Sequence, residues 1–554
     1  MNQADKVVPG VDRTRVNSAV GSVTQKATPQ ILVVASQGNV LAVKLAEALR
    51  NASESRYTSE LRNPEHLAGG SAACVYVPTA GEPAGMVPNL NEAESVLREI
   101  RQQRSRQLIL LSSTLAYGTG PARQGLVNEA YNLRHGQPSI TRPWKALEET
   151  AQSCAPETLV TILRAATLLE GASLLARRLR NRVAVTLPGR NPMIQILSPS
   201  DLARAVLAAV DLAAAGVFNV APAGALPLNS AIRLTGSVRL PVPHFLQRLV
   251  YSREVLDFMR HPTTISNYKM KASLAVAPEK TSENALLDDR HSPDETARPS
   301  QDFDDFGMDE EFIRRCGRTW FRFLADSYWR IEATGLDHIP RQGRAVLVGT
   351  HRGFMPWDAI MALHIVVRKT GRIPRFLTHP GLFKVPFIDS FLTKLGGVNA
   401  CQESADELLE REALVGIYPE GVRGAFSLLR DAYRIQPSWR NTFVRIALRH
   451  RAPIIPFVNV GSANSLPVFA QIYSRRWTRI SAWPYIPVSS FPLVPVPLPS
   501  KWRLRFLPPI QLDRQDHPDA AQDSALVSRI SLDVRNRMQA AIDALLGERR
   551  SVFF

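Results

Sequence analysis

Cysteine, acidic side chains and long apolar runs are all scarce in this chain of 554 residues. The four cysteines, Cys74, Cys154, Cys316 and Cys401, stand singly. They have neither the paired spacing of a zinc site nor the density of a disulfide framework, and so suit a reducing, cytoplasmic compartment. A membrane-crossing helix needs about twenty apolar residues. The most apolar candidate, Leu202 to Val220, is broken by Arg204 and Asp211. The opening MNQADKVVPGVDRTRV lacks the apolar core of a signal peptide. Membrane contact is therefore expected to be peripheral. Acids are outnumbered, 50 against 67 Lys and Arg, for a net charge of +17. Such an excess favours a polyanionic partner, whether nucleic acid, an anionic membrane surface or a phosphate-rich ligand, and charge does not choose among them. What is present, 45% hydrophobic and 21% charged residues, is the composition of a globular protein of more than one domain.

Residues 1–29 are polar and patternless, and a disordered tail is expected there. Strand-like apolar runs follow at Gln30 to Ala35, Ala73 to Val77 and Leu108 to Leu111, with helical stretches between them, of which Val40 to Arg50 is the first. This alternation predicts a parallel sheet with helices on both faces. Residues 288–308, an acidic stretch without apolar periodicity, are expected to be a linker. Beyond it, Glu310 to Ile331 carries apolar residues at helical spacing with arginines close by, which predicts one helix. It is either a core helix with snorkelling arginines or a contact with the membrane interface. Ala345 to Gly349, Val415 to Tyr418 and Pro453 to Val460 then predict a second α/β layering.

In the second half, VGTHRGFMPWDAIM (Val348 to Met361) places His351 in a loop after a strand and Asp358 just inside a helix that begins near Pro356. On one continuous helix the two would stand about 10 Å apart. The loop must therefore fold back, with Gly353 supplying backbone freedom. A carboxylate on one imidazole nitrogen would leave the other as a general base. Downstream stand Leu382-Phe383-Lys384-Val385-Pro386, then Tyr418-Pro419-Glu420-Gly421-Val422-Arg423, then Ala452-Pro453-Ile454-Ile455-Pro456.

The order and spacing of these blocks resemble the glycerolipid acyltransferase family, which includes 1-acylglycerol-3-phosphate acyltransferases, over residues 309–554. Thr350 stands where that family has Asn, and six residues separate His351 from Asp358 instead of four. The resemblance implies His351 and Asp358 as the catalytic pair, with Glu420, Gly421, Arg423, Lys384 and Pro456 at the substrate. Arg423 and Lys384 would meet phosphate, and Glu420 would orient Arg423 or a glycerol hydroxyl. Gly421 is read as a tight turn. The implied reaction moves an acyl group from acyl-CoA or acyl carrier protein to a lipid hydroxyl without a cofactor. The implied partners are a lipid acceptor, an acyl thioester donor and an anionic membrane surface on the cytoplasmic face, with no nucleic acid. His379 is read as structural, and Trp483 to Pro499 as an extended segment or an apolar lip.

In the first half, QILVVASQGNVLAVKLAEAL (Gln30 to Leu49) has the strand, turn and helix of a dinucleotide-binding unit, but only Gly38 of its glycines. With Ser112 to Gly118, Arg164, Gln195 to Leu202 and Gly216 to Val220, it resembles an extended short-chain dehydrogenase/reductase of the sugar-nucleotide epimerase group over residues 30–287. That fold is a Rossmann-like doubly wound sheet. The family's Tyr, three residues, Lys block has Thr141 where tyrosine should precede Lys145, and a threonine hydroxyl lacks the acidity for that proton transfer. A non-redox domain with weak or absent NAD(P) binding at Gly38 is expected, attached to an acyltransferase. Two alternatives are a bifunctional reductase and acyltransferase, and a non-catalytic scaffold at a membrane.

Overall fold

The computed structural model describes residues 29–63, 71–81, 86–103, 105–118, 126–131, 139–155, 157–170, 174–288, 303–353, 355–385, 387–481, 485–489, 497–512, 520–549 and 551–552. Residues 1–28 of the expected tail, most of the expected linker and most of Trp483 to Pro499 lie outside these.

The first half is built on Gln30–Val34 (β1), Thr58–Arg62 (β2), Ala73–Tyr76 (β3), Gln107–Ser113 (β4), Leu159–Ala165 (β5) and Gly216–Val220 (β7), all parallel, in the order β7-β5-β4-β3-β1-β2. Alternate residues of β1 enter opposite cores: Ile31 and Val33 join one, Leu32 and Val34 the other. The period of two along a strand thus fills both faces. Val40–Ala52 (α1) and Pro199–Asp211 (α5) cover the first face, and Leu90–Gln102 (α2) and Thr141–Gln152 (α3) the second. The result is a doubly wound sheet whose order reverses between β1 and β3. Leu174–Arg180 (α4) leads into Val183–Thr186 (β6), which pairs outside the main sheet with Val238–Pro241 (β8), followed by the short helix His244–Gln247 (α6).

The second half carries Glu332–Thr334 (β9), Ala345–Gly349 (β10), Arg375–Thr378 (β11), Val398–Asn399 (β12), Leu414–Ile417 (β13), Ile454–Val460 (β14) and Arg503–Phe506 (β15), in the order β9-β15-β14-β10-β13-β11-β12. Only the β14–β15 pairing is antiparallel. Val346 and Val348 of β10 face Gln402–Glu410 (α9), Thr442–Arg449 (α10) and Ser524–Gly547 (α11). Ala345 and Leu347 face Glu310–Arg318 (α7) and Trp357–Thr370 (α8).

The helix expected over Glu310 to Ile331 is broken. It ends at Arg318, a short helix Trp320–Phe323 follows, and Thr319 between them is non-helical. Gly317 and Thr319 are weak helix formers, and the Thr319 hydroxyl donates back to the Arg315 carbonyl at 2.9 Å. Phe321 and Trp329 are core residues, Trp329 stacking on Trp502 at 4.3 Å. These two aromatics therefore give no membrane contact. No helix among the described residues is long and apolar enough to cross a membrane.

The halves touch. Arg190 pairs with Asp389 at 2.7 Å, the Phe387 amide donates to the Gly189 carbonyl at 2.9 Å, and Ser266 donates to Glu407 at 2.6 Å. Residues 303–308 bridge them: Asp304 pairs with Arg375, and Asp305 binds Arg411 and the Gly224 amide, each at 2.6 Å.

Candidate active site

β10 ends in Gly349, where a Cβ would stand 2.3 Å from Phe457 and 2.6 Å from the Tyr418 ring. Only glycine lets those rings close over the strand end. The chain then turns through Gly353, at φ +78°, which allows the fold-back that the wide His-to-Asp interval requires. His351 Nδ1 lies 2.8 Å from one Asp358 oxygen and 2.9 Å from the other. The same carboxylate accepts from the amides of Arg352 and Ala359, both at 2.8 Å. Asp358 occupies the first turn of α8, where free amides and the helix dipole favour a negative charge. A carboxylate so held binds the Nδ1–H of a neutral imidazole and leaves Nε2 as its free basic nitrogen. Tyr418 lies against the ring at 4.9 Å, and burial, followed by the nearby Asp358 charge, pushes its phenol well above the ordinary value.

Behind this pair is a charge that the sequence did not place. Arg352 is 2% exposed and forms a two-pronged pair with Glu420, which is also 2% exposed. Its remaining donors reach the His351 carbonyl at 2.8 Å, the Arg434 carbonyl at 3.1 Å and the Ala432 carbonyl. The Gln436 amide donates to Glu420 at 2.6 Å. The His351 loop is therefore bolted to the Tyr418–Arg423 block and to residues 432–436. The only signal in the sequence was an unassigned arginine beside His351. Its partner stands 68 residues away, and no local pattern connects them.

His351 lines a cavity of about 480 Å³, within the size range of small-molecule sites. Its walls are mostly apolar, with Phe376, Leu382, Ile417, Phe426, Phe443 and Ile446 among them. Thr378, His379, Cys401, Gln402, Tyr418, Arg440 and Thr442 join the imidazole as the side chains with polar atoms. His379 accepts the Gly381 amide on Nδ1 at 3.1 Å.

The other expected substrate residues are distributed unevenly. Gly421 lines the cavity, at the start of the short helix Gly421–Ala425. Arg423, on that helix, is exposed and has no ion pair or hydrogen bond among the described residues. Lys384 ends the turn Leu382–Lys384, and its side chain lies outside the described part. Glu420 corrects the expectation: its carboxylate is buried, committed to Arg352 and the Gln436 amide, makes no bond to Arg423 among the described residues, and does not line the cavity. Pro456 corrects it too. It sits buried inside β14, opposite Val348 and between the Ile454–Ile510 bridge and the Phe457–Phe506 pairing. Lacking an amide hydrogen, it suits that irregularity in the ladder and does not line the cavity.

In the first half, Gly38 makes the β1–α1 turn at φ +83°, and Leu41 packs onto the core. Thr141 is fully buried at the start of α3. Further along the same helix, Glu148 and Lys145 join a closed network instead of a proton-transfer dyad. Arg164 grips Glu148 at 2.8 and 2.6 Å, and Ser112 donates to Glu148 at 2.7 Å. Lys145 Nζ stands 3.6 Å from Glu148. Burial and the Arg164 charge lower the lysine's pKa. Tyr117, beneath the Arg164 guanidinium at 4.5 Å, donates to Asn219 at 2.6 Å, and burial raises its phenol. These residues do not fit nicotinamide redox chemistry, which needs an acidified hydroxyl free to reach substrate. Among the described residues no group of His, Cys, Asp and Glu is placed to hold a metal.

A sequence model of the family described as Acyltransferase matches residues 330–460. An uncharacterized protein of Mycobacterium tuberculosis is 35% identical over 259 residues, covering 45% of this chain and 71% of that protein. A Bos taurus protein named as a DGAT1/2-independent enzyme synthesizing storage lipids is 29% identical over 125 residues, 23% of this chain and 37% of that protein. Among solved structures, the human epimerase family protein SDR39U1 with NADPH is similar over 47% of this chain and 98% of its own, at 14% identity and a TM-score of 0.36. The doubly wound fold of the first half stands on its own strand order.

Proposed function

We propose, on the premise that this chain belongs to the acyltransferase family through its second half, that it transfers an acyl group from an acyl thioester to a hydroxyl of a glycerolipid. The observation that carries the reading is the His351–Asp358 pair, buried on its carboxylate side and opening on its imidazole side into an apolar cavity. Nε2 of His351 takes the proton of the acceptor hydroxyl. The oxygen attacks the thioester carbonyl, a C–O bond forms, the C–S bond breaks, and the thiolate of coenzyme A or acyl carrier protein leaves and recovers the proton. Asp358 fixes the tautomer and stabilises the imidazolium formed on the way. The apolar walls suit an acyl chain. Arg423, without an ion pair or hydrogen bond among the described residues and beside Gly421 and Val422 of the cavity wall, is the group for a phosphate. Glu420 acts through Arg352 as a positioning residue for the His351 loop.

The test is thiol release by the purified full chain with acyl-CoA and a panel of lyso-glycerolipids. His351→Ala is expected to lower the rate by about a thousandfold or more. Equal rates in the two proteins would end the proposal. The bifunctional reading requires NADP(H) to bind the first half and a hydroxyl able to transfer a proton there, and Thr141 in place of a tyrosine ahead of Lys145 argues against the second requirement. Saturable binding in a titration of the full chain would restore that reading.

A further inference from the structure

Among the described residues of the first half, one stretch has apolar side chains pointing outward in number. Val238 and Leu240 on β8, Phe245 and Leu246 on α6, and Leu249 and Val250 just after it are all exposed, Leu249 by 81% and Val250 by 76%. Val183 on the neighbouring β6 adds to them. This is not a loose loop. The Val238 amide donates to the Arg182 carbonyl at 2.8 Å and the Val242 amide to the Thr186 carbonyl at 2.9 Å. Gln247, 3% exposed beneath the apolar residues, ties α6 to the carbonyls of Thr186 and Val242. A contiguous, anchored apolar patch of this kind marks an interaction surface.

Its charge is one-sided. Between Leu174 and Arg190, and again between Leu228 and Arg253, there is no Asp or Glu. Arg177, Arg180, Arg182, Arg239, Arg248 and Arg253 in these segments are exposed. Exposed apolar side chains on two segments that carry exposed arginines and no acid match an anionic lipid surface, where the apolar groups enter the headgroup region and the arginines meet phosphate.

The patch is also joined to the acyl cavity. Gly189 and Arg190, which follow β6 closely, hold the segment that contains the cavity-lining Leu382. Arg190 donates to the Phe383 carbonyl at 2.7 Å and pairs with Asp389, and Gly189 accepts the Phe387 amide. Phe387, at the join, is 74% exposed and held at φ +65°, a conformation costly for a phenylalanine.

We infer that the β6–β8 pair and α6 of the reductase-like half form the membrane-docking surface of this protein, seating it on anionic lipid through a surface tied by Gly189 and Arg190 to the segment next to Leu382 of the His351 cavity. The inference rests on the acyl-transfer reading for what the docked protein would do there, and not for the docking itself. On this reading the first half has become the platform that brings the second half to its lipid.

The test uses the full chain and sedimentation with vesicles of neutral phosphatidylcholine, alone or mixed with anionic phosphatidylglycerol. Wild type is expected to bind the mixed vesicles and only weakly the neutral ones. Arg239→Glu with Arg248→Glu should weaken binding by about fivefold per charge or more. Leu249→Glu with Val250→Glu should weaken it by about tenfold or more. Val40→Glu, at an exposed apolar residue of α1 away from the patch, should leave it unchanged. Circular dichroism and thiol release with a water-soluble short-chain acceptor should be unaltered in all of these. Wild-type binding by both patch variants, or binding indifferent to anionic lipid, would overturn the inference. So would a dimer, seen by light scattering without vesicle binding and dissolved by Leu249→Glu with Val250→Glu, since the patch would then be a self-association surface. His351→Ala should bind vesicles as wild type does. Vesicle binding that maps to the patch in a protein without acyl transfer would keep the docking and remove the catalytic proposal.

Discussion

Each half of the molecule buries one arginine–glutamate pair at the place where its resemblance puts chemistry, and the two pairs do opposite things. Arg352–Glu420 lies behind His351, holds the histidine's own carbonyl, and leaves the imidazole on a cavity of about 480 Å³. Arg164–Glu148 closes on itself one turn along α3 from Lys145, taking up Ser112 and drawing in Lys145 and the Tyr117 ring. The first pair is a brace and the second a closed cluster. A buried ion pair is weak testimony of function until it is known what the pair leaves open.

The largest expected effect that would break this comparison comes from removing one partner. Glu420→Gln strands Arg352 in the core and is expected to destabilise the second half by about 3–5 kcal/mol, as Glu148→Gln should the first half. Denaturant unfolding can follow Trp144 in the first half and the stacked Trp329–Trp502 in the second. If the pairs differ as described, the Glu420 variant loses acyl transfer and the Glu148 variant, at a temperature where it stays folded, keeps it. Loss of transfer in both would mean that the closed cluster also serves the acyltransferase site.

A smaller effect sharpens the contrast in pH. His364, buried in α8 against Phe321, has its pKa pushed down to about 4 by burial and by the neighbouring Arg368 charge. Its folded value lies below the unfolded one, so the unfolded chain binds the proton first. The neutral form's advantage is complete above about pH 6.5 and is lost as pH falls towards 4, by up to about 3 kcal/mol. His364→Gln should flatten the stability profile of the second half over that window and leave the first half's unchanged. Identical profiles for wild type and variant would show that His364 does not titrate there.

The smallest expected effect concerns Gly38. A Cβ there meets nothing within 4 Å, so Gly38→Ala should cost only the strain of a positive φ, about 1 kcal/mol. Gly349→Ala, opposed by Phe457 and Tyr418, should cost more and lower transfer as well. Equal costs, read as thermal midpoints, would remove the distinction between a turn glycine and a packing glycine.

Much of the fold was legible. The runs at Gln30 to Ala35, Ala73 to Val77, Leu108 to Leu111 and Ala345 to Gly349 all became sheet strands, because strands buried on both faces are apolar throughout. Thr58–Arg62 was not recognised. As an edge strand with one neighbour it carries polar residues on both sides. The apolar spacing of Glu310 to Ile331 concealed the break at Thr319, since periodicity is blind to a hydroxyl that bonds the preceding turn. At the candidate site, His351 and Asp358 could be singled out from the blocks that accompany them. The partner of Glu420 could not, and neither could the place of Pro456 inside β14.

The sequence by itself determined the apolar strands buried on both faces, that Gly353 would let the His351 loop fold back, and that the first half has no tyrosine ahead of Lys145. Those are local properties, set by side-chain period, backbone freedom and residue chemistry. Only the tertiary structure decided which charge meets which. Arg352 finds Glu420, and Arg190 finds Asp389, across stretches of chain that no periodicity spans. It also decided that Val238, Leu240, Phe245, Leu249 and Val250 of the first half face outward, because exposure is a property of the packed surface and not of the residue.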